Sequence, residues 1–428
     1  MKFSLMPTTK SLDEKLRSIH DDPSGSQEFI IADAKDADMA FGMAAPGTTT
    51  ALSVRATRAV GASPEQHSCE VRFKTLAEYR NQVRQVIEQG VVDIVLMSAS
   101  TSDQLAVQER LFENSRITPA ARANDASDVH LPRGGKIHAE PARPFRTAHL
   151  DHMQCGHLDC APEERILGSN LGLYSVTFLN DQTRDLETLQ RYKEFREEAE
   201  RVGFRHFLEV FDPNVANVVA PDTLPGFIND LIARTLAGVP QAGRPVFLKI
   251  VYHGPQAMEE LVQYDPHLVV GVLGGAAGTT LDAFQLLHQS KKYGGRAALF
   301  GRKINSAENQ LAFIEFLRLI ADGVIEPAEA VRAYHSVLAK LGVAPHRPLD
   351  QDLTLQTNVM SYGGSGTTIS IPAPITTEAS ITEAQQSAKL TKPSRSSKPV
   401  SNDKPDFAKM SPDERLAYHR ERLRRALG

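Results

Sequence analysis

One lysine in this sequence lies in the middle of an apolar stretch that predicts a buried β-strand. In RPVFLKIVYHG, which runs from Arg244 to Gly254, Lys249 has bulky apolar neighbours on both sides. Because burial disfavours a charged amine, the pattern favours a neutral amine that can attack a carbonyl carbon and form a Schiff base. The alternative is a lysine at the strand end whose charge reaches water.

Two glycine-containing turns follow the lysine strand. Gly274 and Gly275 lie in the first turn, and Gly301 and Arg302 lie in the second. Each turn stands between an apolar stretch and a helical pattern. Glycines at that place let the backbone approach an anion closely, and the N–H groups at the start of the helix point at it. The two turns therefore predict a binding site for a phosphate group.

Charged residues end a first predicted strand and interrupt a later one. The stretch from Phe29 ends in a charged cluster composed of Asp33, Lys35, Asp36 and Asp38. Strand alternation puts Asp33 and Lys35 on one face, and Glu209 lies in the apolar middle of another strand. We expect Asp33 and Glu209 to move protons, and Lys35 to favour the neutral form of Lys249 by like-charge repulsion. The alternative for the first cluster is a solvated turn.

The elements that must position these residues repeat a simple plan. Eight apolar stretches alternate with helical patterns between Glu28 and Gly342, and most of the stretches end in polar residues. This pattern predicts a (β/α)8 barrel over residues 28–345, with the active site at the carboxyl ends of the strands. An open, doubly wound sheet is the alternative, although it rarely needs eight parallel strands in one domain.

The motifs around the lysine are similar to those of a known family. The order LK-x-x-Y-x-G, GG-x-x-G and GRKI-x-x-x-E-N resembles the class I aldolases of the DeoC/FbaB (DhnA-type) superfamily, and the resemblance is best over residues 244–317. It implies a TIM barrel whose nucleophile is Lys249 and whose first-strand aspartate is Asp33. It implies that phosphate is bound by Gly274, Gly275, Gly301 and Arg302. The first strand departs from the family, because it reads ADAKDAD where an Asp-His-Gly type of turn is usual.

These features predict covalent catalysis on a small phosphorylated carbonyl compound. An iminium ion on Lys249 would be the electron sink for making or breaking a C–C bond, and neither a cofactor nor a metal would be needed. Two alternatives belong to other classes. One is a metal-dependent barrel enzyme that uses Asp33, Asp36 and Asp38, or a His/Cys loop, with Lys249 as an electrostatic clamp. The other is an inactive barrel that serves as a binding module.

Four segments lie outside the regular pattern. Residues 1–27 form an N-terminal helical segment, and residues 130–168 form a long connection that we expect to act as a lid over the barrel mouth. This connection contains His152, Cys155, His157 and Cys160, which could bind zinc, although the usual zinc spacings are not met. The composition of residues 363–404 predicts a disordered linker. Residues 405–428 predict a basic helix that could dock on the barrel, a partner protein or an acidic surface, and the alternative is a solvated tail helix.

Composition excludes several broad classes. A net charge of -4 gives no general affinity for nucleic acid or for anionic membranes, and no apolar run approaches the roughly 20 residues that span a bilayer. The N-terminus lacks the apolar core of a signal peptide. The three cysteines do not make a disulfide framework, and a reducing, cytoplasmic location is expected. We also expect a homo-oligomer.

Overall fold

The described part of the chain is organised around a closed barrel of eight parallel strands. The computed structural model describes residues 8–54, 67–275 and 278–356. The strands, numbered in chain order, are β1 Ile30–Lys35, β2 Ile94–Met97, β3 Thr118–Arg122, β4 Leu171–Thr177, β5 Arg205–Phe211, β6 Leu248–Ile250, β7 Val270–Leu273 and β8 Ala297–Phe300. Strand β1 pairs with both β2 and β8, which closes the barrel. The predicted (β/α)8 fold is confirmed, whereas the predicted linker and terminal helix lie outside the described residues.

Helices surround the barrel. The longer ones are Leu76–Gln89, Gln182–Arg201, Leu224–Ala237, Pro255–Tyr264, Thr280–Lys292, Gln310–Ala321 and Pro327–Leu341. Short helices are Asp38–Phe41, Ala99–Ser102, Leu150–Cys155, Arg302–Ser306 and Leu349–Asp352. A π-helical turn, Asp103–Gln108, follows the second of these helices directly. Within the described ranges, the structure contains no helix that is long and apolar enough to cross a membrane.

Strand alternation decides which side chains fill the barrel. Ile30, Ala32 and Ala34 of β1 belong to one buried apolar cluster together with Phe207 of β5 and Phe247, which directly precedes β6. Since successive side chains of a strand point to opposite faces, these residues mark the inner face of each strand. The residues between them point outward, against the surrounding helices.

The N-terminal helix Ser11–Asp21 closes one end of the barrel. Its Leu12, Leu16 and Ile19 are buried in the same apolar cluster as the inner face of the strands. Lys15 fixes the helix, because its Nζ donates to the carbonyl oxygen of Phe29, 2.8 Å away, just before β1. This end carries the amino termini of the strands, so the open mouth is at the carboxyl ends.

The long connection between β3 and β4 has two parts. The first part reaches the mouth, where the Leu131 amide donates to the carbonyl oxygen of Ala40 at 2.7 Å. The second part lies at the opposite end, where Gln154 Nε2 donates to Asn170 Oδ1 at 2.7 Å, directly before β4, and to the carbonyl oxygen of Val202 at 3.3 Å. Only the first part is therefore placed near the opening that the predicted lid would cover.

An antiparallel hairpin interrupts the chain between β1 and β2. Its strands, Thr48–Val54 and His67–Phe73, pair over their whole length, and they belong to a compact unit separate from the barrel. The sequence interpretation did not include this hairpin.

Candidate functional site

A cavity of about 110 Å³ lies at the carboxyl ends of the strands. Six of the eight residues predicted for the site line it, and these are Glu209, Lys249, Gly274, Gly275, Gly301 and Arg302. The other lining residues are Ala34, Asp36, Ala37, Ala40, Phe41, Arg122, Val129, Phe211, Leu273 and Leu299. Residues from distant parts of the sequence thus converge on one small space.

Lys249 lies inside the barrel beside a carboxylate. It is paired in register with Glu209 of β5, and its Nζ lies 2.5 Å from Glu209 Oε1. The second carboxylate oxygen of Glu209 accepts a hydrogen bond of 2.7 Å from the Ser175 hydroxyl on β4. Lys249 is only 8% exposed. Glu209 is therefore a buried counter-ion for Lys249, and the hydrogen bond from Ser175 holds Glu209 in place.

A second buried cation stands on the other side of Glu209. Arg122 Nε lies 2.5 Å from Asp36 Oδ2, and its terminal nitrogens lie 3.7 Å from Asp125 and 4.0 Å from Glu209. Burial alone would lower the pKa of Arg122, but the carboxylates of Asp36, Asp125 and Glu209 together hold it above its ordinary value. Arg122 therefore stays charged and is a shared counter-ion for the buried carboxylates around it.

The glycine turns bring backbone close to the cavity. Gly275 has a φ of 59°, a left-handed conformation that glycine adopts without strain. A Cβ atom on Gly301 would lie 2.8 Å from the carbonyl oxygen of Ala34, so only glycine fits against β1 there. The Gly274 amide already donates to the carbonyl oxygen of Leu299 at 2.7 Å. Gly274 therefore contributes close packing at this turn, and its N–H group is engaged in the sheet.

Asp33 and Lys35 do not face the barrel axis, which corrects the position expected for them. Both are fully buried, and their charged groups lie 3.3 Å apart on the outer face of β1. Lys35 Nζ also donates to Asn305 Oδ1 at 2.5 Å and to Gln310 Oε1 at 3.0 Å. The apolar residues Ile30, Ala32 and Ala34 occupy the inner face, so alternation sends Asp33 and Lys35 towards the helices.

The charge states of this outer pair are shifted by burial. Desolvation raises the pKa of Asp33 to about 6, against the lowering effect of Lys35. Desolvation likewise lowers the pKa of Lys35, and Asp33 opposes the shift. Each partner thus keeps the other charged in a place that water does not reach. The pair joins β1 to the helix Arg302–Ser306 through Asn305 and does not touch the cavity.

The aspartates of the first strand do not converge on one point. Asp36 pairs with Arg122, Asp33 pairs with Lys35, and Asp38 accepts a hydrogen bond of 2.6 Å from the Ser98 hydroxyl. Each carboxylate thus has a different partner. Among residues 8–54, 67–275 and 278–356, the one group with the spacing of metal ligands is Cys155, His157 and Glu164, at the far end of the barrel.

The Cys/His segment carries a disulfide. Cys155 and Cys160 are bonded to each other, so neither sulfur is a free thiolate ligand in this state. The structure thus adds one local cross-link where the sequence interpretation expected none. Helix Leu150–Cys155 contains the first cysteine of the pair. The segment lies at the amino end of β4, because Gln154 donates to Asn170 there, whereas Lys249 lines the cavity at the carboxyl ends of the strands. The segment contributes no residue to the cavity.

The sequence interpretation did not bring together in one site Asp36 and Arg122, which line the cavity, and Ser175, which donates to Glu209. A signal for two of them was present. Asp36 follows Ala34 by two residues, and Arg122 follows Ala120 by two, so both continue the inner face of their strands. For Ser175 the sequence held no comparable signal, because its role follows from pairing in register with Glu209.

Comparisons with known proteins return similar folds at low sequence identity. An archaeal fructose 1,6-bisphosphate aldolase aligns with a TM-score of 0.48 and 13% identity, over 73% of this chain and 99% of that one. A Schiff-base-forming fructose-1,6-bisphosphate aldolase gives 0.47 and 14%, over 73% and 100%. A Corynebacterium glutamicum protein gives 0.45 and 17%, over 75% and 100%. No family model matches the chain, and neither does any curated protein sequence.

Proposed function

We propose that this barrel makes or breaks a C–C bond in a small phosphorylated carbonyl compound through a Schiff base on Lys249. The observation that carries the proposal is the placement of one inward-facing lysine beside Glu209 in a cavity that also contains both glycine turns. The lysine supplies a nucleophile, and the turns supply a place for the phosphate group. The cavity is small, which favours a short substrate fragment at the lysine.

The contacts of Lys249 suggest how its amine becomes reactive. In the free protein the ammonium is paired with Glu209. Transfer of one proton from Lys249 Nζ to Glu209 leaves a neutral amine, which adds to the substrate carbonyl and gives a carbinolamine. Glu209 then returns the proton to the carbinolamine oxygen, which leaves as water, and an iminium ion remains on Lys249. Glu209 thus ends ionised, as it began.

The iminium ion would act as the electron sink for the next step. Glu209, which is ionised again, takes the proton of the hydroxyl group on the carbon β to the iminium carbon, and that oxygen forms a carbonyl. The bond between the α and β carbons breaks, its electron pair moves to the iminium nitrogen, a carbonyl fragment departs and an enamine remains on Lys249; formation of the bond runs in reverse. The phosphate group, held by Gly275, Gly301 and Arg302, would fix the distance between the carbonyl carbon and Lys249 Nζ. Asp36 and Arg122 complete the wall on the opposite side of Glu209.

Borohydride trapping tests this function. The protein is incubated with dihydroxyacetone phosphate, dihydroxyacetone or a panel of sugar phosphates, reduced with borohydride, and mapped by peptide mass spectrometry. A mass increment on Lys249 is expected, and Lys249→Met should remove it. Lys249→Arg keeps the charge and should also fail, because guanidinium is not a nucleophile at neutral pH.

Two other outcomes would reject the Schiff base on Lys249. Labelling of Lys35 would support the reaction class but would show that Lys249 is not the nucleophile. The complete burial of Lys35 argues against this outcome. If sugar phosphates were turned over with no lysine labelled, and EDTA removed the activity, the metal-dependent alternative would replace the proposal. Binding without turnover or labelling would favour the inactive barrel.

A further inference from the structure

Lys303 is a buried lysine that touches both phosphate-type turns and is not used by the mechanism above. It follows Arg302 directly in the helix Arg302–Ser306. Its Nζ donates to the carbonyl oxygen of Gly278 at 2.5 Å and to that of Thr279 at 3.1 Å. Both carbonyls belong to the end of the turn after β7. One side chain therefore ties the turn after β8 to the turn after β7.

Further hydrogen bonds hold the backbone to which Lys303 donates. Thr279 is the N-cap of the helix Thr280–Lys292, and it forms a reciprocal capping box with Asp282. The Thr280 amide donates to Asp352 Oδ1 at 2.8 Å. Lys303 is thus attached to backbone whose position is fixed by the helix and by the segment after the barrel. A fixed attachment point is what a positioning contact requires.

Burial of the Lys303 amine costs desolvation free energy, which a side chain that only filled space would not incur. The residue is 9% exposed, and burial lowers its pKa to about 8, with Arg347 acting in the same direction and Asp282, Asp352 and Glu308 opposing it. An apolar side chain of similar length would avoid this desolvation cost. The two hydrogen bonds from the Lys303 ammonium to the turn after β7 offset this cost.

We infer that Lys303 is a positioning residue that sets the distance between the two glycine turns and so determines affinity for the phosphate group of the ligand. Arg302 and Gly301 lie on the side of the turn after β8, and Gly275 lies on the side of the turn after β7. Loss of the Lys303 contact would let the two sides move apart. This inference rests on the proposed phosphate site, but it does not depend on the Schiff base.

The direct test measures phosphate binding without chemistry. Affinities of wild type and Lys303→Met for glycerol 3-phosphate and for inorganic phosphate are compared by calorimetry. We expect Lys303→Met to weaken both by about tenfold to a hundredfold, the range for loss of hydrogen bonds from a charged group. Lys303→Gln keeps an N–H donor in a shorter side chain, so its affinity should lie between the two, and it decides the matter if Lys303→Met does not fold.

Lys291→Met is the matched control. Lys291 also donates to a backbone carbonyl, that of Ala321 at 2.5 Å, and burial also lowers its pKa. It lies near the other end of the helix Thr280–Lys292, so its loss should leave phosphate affinity unchanged. Unchanged affinity in Lys303→Met would overturn the inference, and so would an equal loss in the two variants.

A second measurement separates this inference from the proposed function. Borohydride trapping of Lys249 with dihydroxyacetone, which lacks phosphate, should be the same in wild type and Lys303→Met. Trapping with dihydroxyacetone phosphate should need a higher ligand concentration in the variant and reach the same final extent. If wild type binds the phosphate probes, Lys303→Met binds them more weakly and no ketone is ever trapped, the Schiff base fails and the positioning role stands. If wild type traps dihydroxyacetone but binds no phosphate probe, the positioning role fails and the Schiff base stands.

Discussion

Lys249 on β6 and Glu209 on β5 are register partners, and the lysine Nζ lies 2.5 Å from a carboxylate oxygen. Both residues follow an inward-pointing phenylalanine by two positions, Phe247 and Phe207, whose rings stack with centroids 4.5 Å apart. The apolar layer below therefore fixes the two strands against each other. Because the strands are aligned in this way, the carboxylate of Glu209 lies beside the amine of Lys249, where it can accept a proton.

Glu209→Gln should slow Schiff-base formation. The amide still accepts a hydrogen bond from Lys249, but it cannot take up a proton, so the rate of borohydride trapping should fall by about a hundredfold or more. Glu198→Gln is the control, because Glu198 pairs with Arg146 near the surface. A trapping rate that stayed the same or rose would show that Glu209 only holds the lysine.

Arg122→Met should destabilise the barrel strongly. Arg122 is 7% exposed, and its removal leaves the buried carboxylates of Asp36, Asp125 and Glu209 without their shared cation. The free energy of unfolding should fall by about 3–5 kcal/mol. Arg146→Met removes an equally short ion pair with Glu198, but a more exposed one, and should cost about 1 kcal/mol or less. Equal losses in urea denaturation would mean that burial of Arg122 is not decisive.

The barrel could be predicted from the sequence, whereas the faces of its strands were only partly assigned. Lys249 and Glu209 each interrupt a continuous apolar run, so burial and inward orientation followed from the pattern. In β1 all six residues are buried, so burial did not reveal which face is inside. The charged Asp33 and Lys35 were taken as inward because they end the strand. In the structure, small alanines occupy the inner face of β1. Asp33 and Lys35 lie on its outer face, where Lys35 donates to Asn305 and Gln310.

Asp128→Asn should make stability less dependent on pH. Burial raises the pKa of Asp128 to about 6, although Thr177 donates a hydrogen bond of 2.9 Å to its carboxylate. An unfolded Asp titrates near pH 4, so between about pH 4 and 6 the folded state holds the extra proton. The contribution of Asp128 is therefore full below pH 4 and is lost as the pH rises through 6.

Urea unfolding at pH 4 and pH 7 checks this sign. Wild type should lose on the order of 2 kcal/mol of unfolding free energy from Asp128 between the two. Asp128→Asn should lack that part of the loss, since the amide does not titrate. Asp230→Asn, at an exposed position, serves as the control. An identical pH dependence in wild type and Asp128→Asn would contradict the burial argument.

The segment that contains Asp352 and Thr354 should be necessary for full stability and phosphate affinity. The chain beyond residue 362 should be dispensable for phosphate binding and for borohydride trapping. Asp352 accepts from the Thr280 amide at 2.8 Å and bonds His335 Nε2 at 2.9 Å, and the carbonyl oxygen of Thr354 accepts from the Thr279 hydroxyl at 3.0 Å. A chain ending at residue 345 loses all three contacts, whereas a chain ending at residue 362 keeps them. We therefore expect the folded unit to extend past residue 354, beyond the barrel limit of 345 expected from the sequence.

The two truncated chains should differ in stability and in phosphate affinity. The chain ending at 362 should match the full chain in both, while the chain ending at 345 should lose about 1–3 kcal/mol of unfolding free energy, because the Thr280 amide and His335 are left without partners. Asp352→Ala in the full chain should reproduce part of that loss, and Asp350→Ala, at an exposed position, should not. Calorimetry with glycerol 3-phosphate measures the second effect. A large loss of trapping in the chain ending at 362 would instead mean that residues 363–428 contribute to the site.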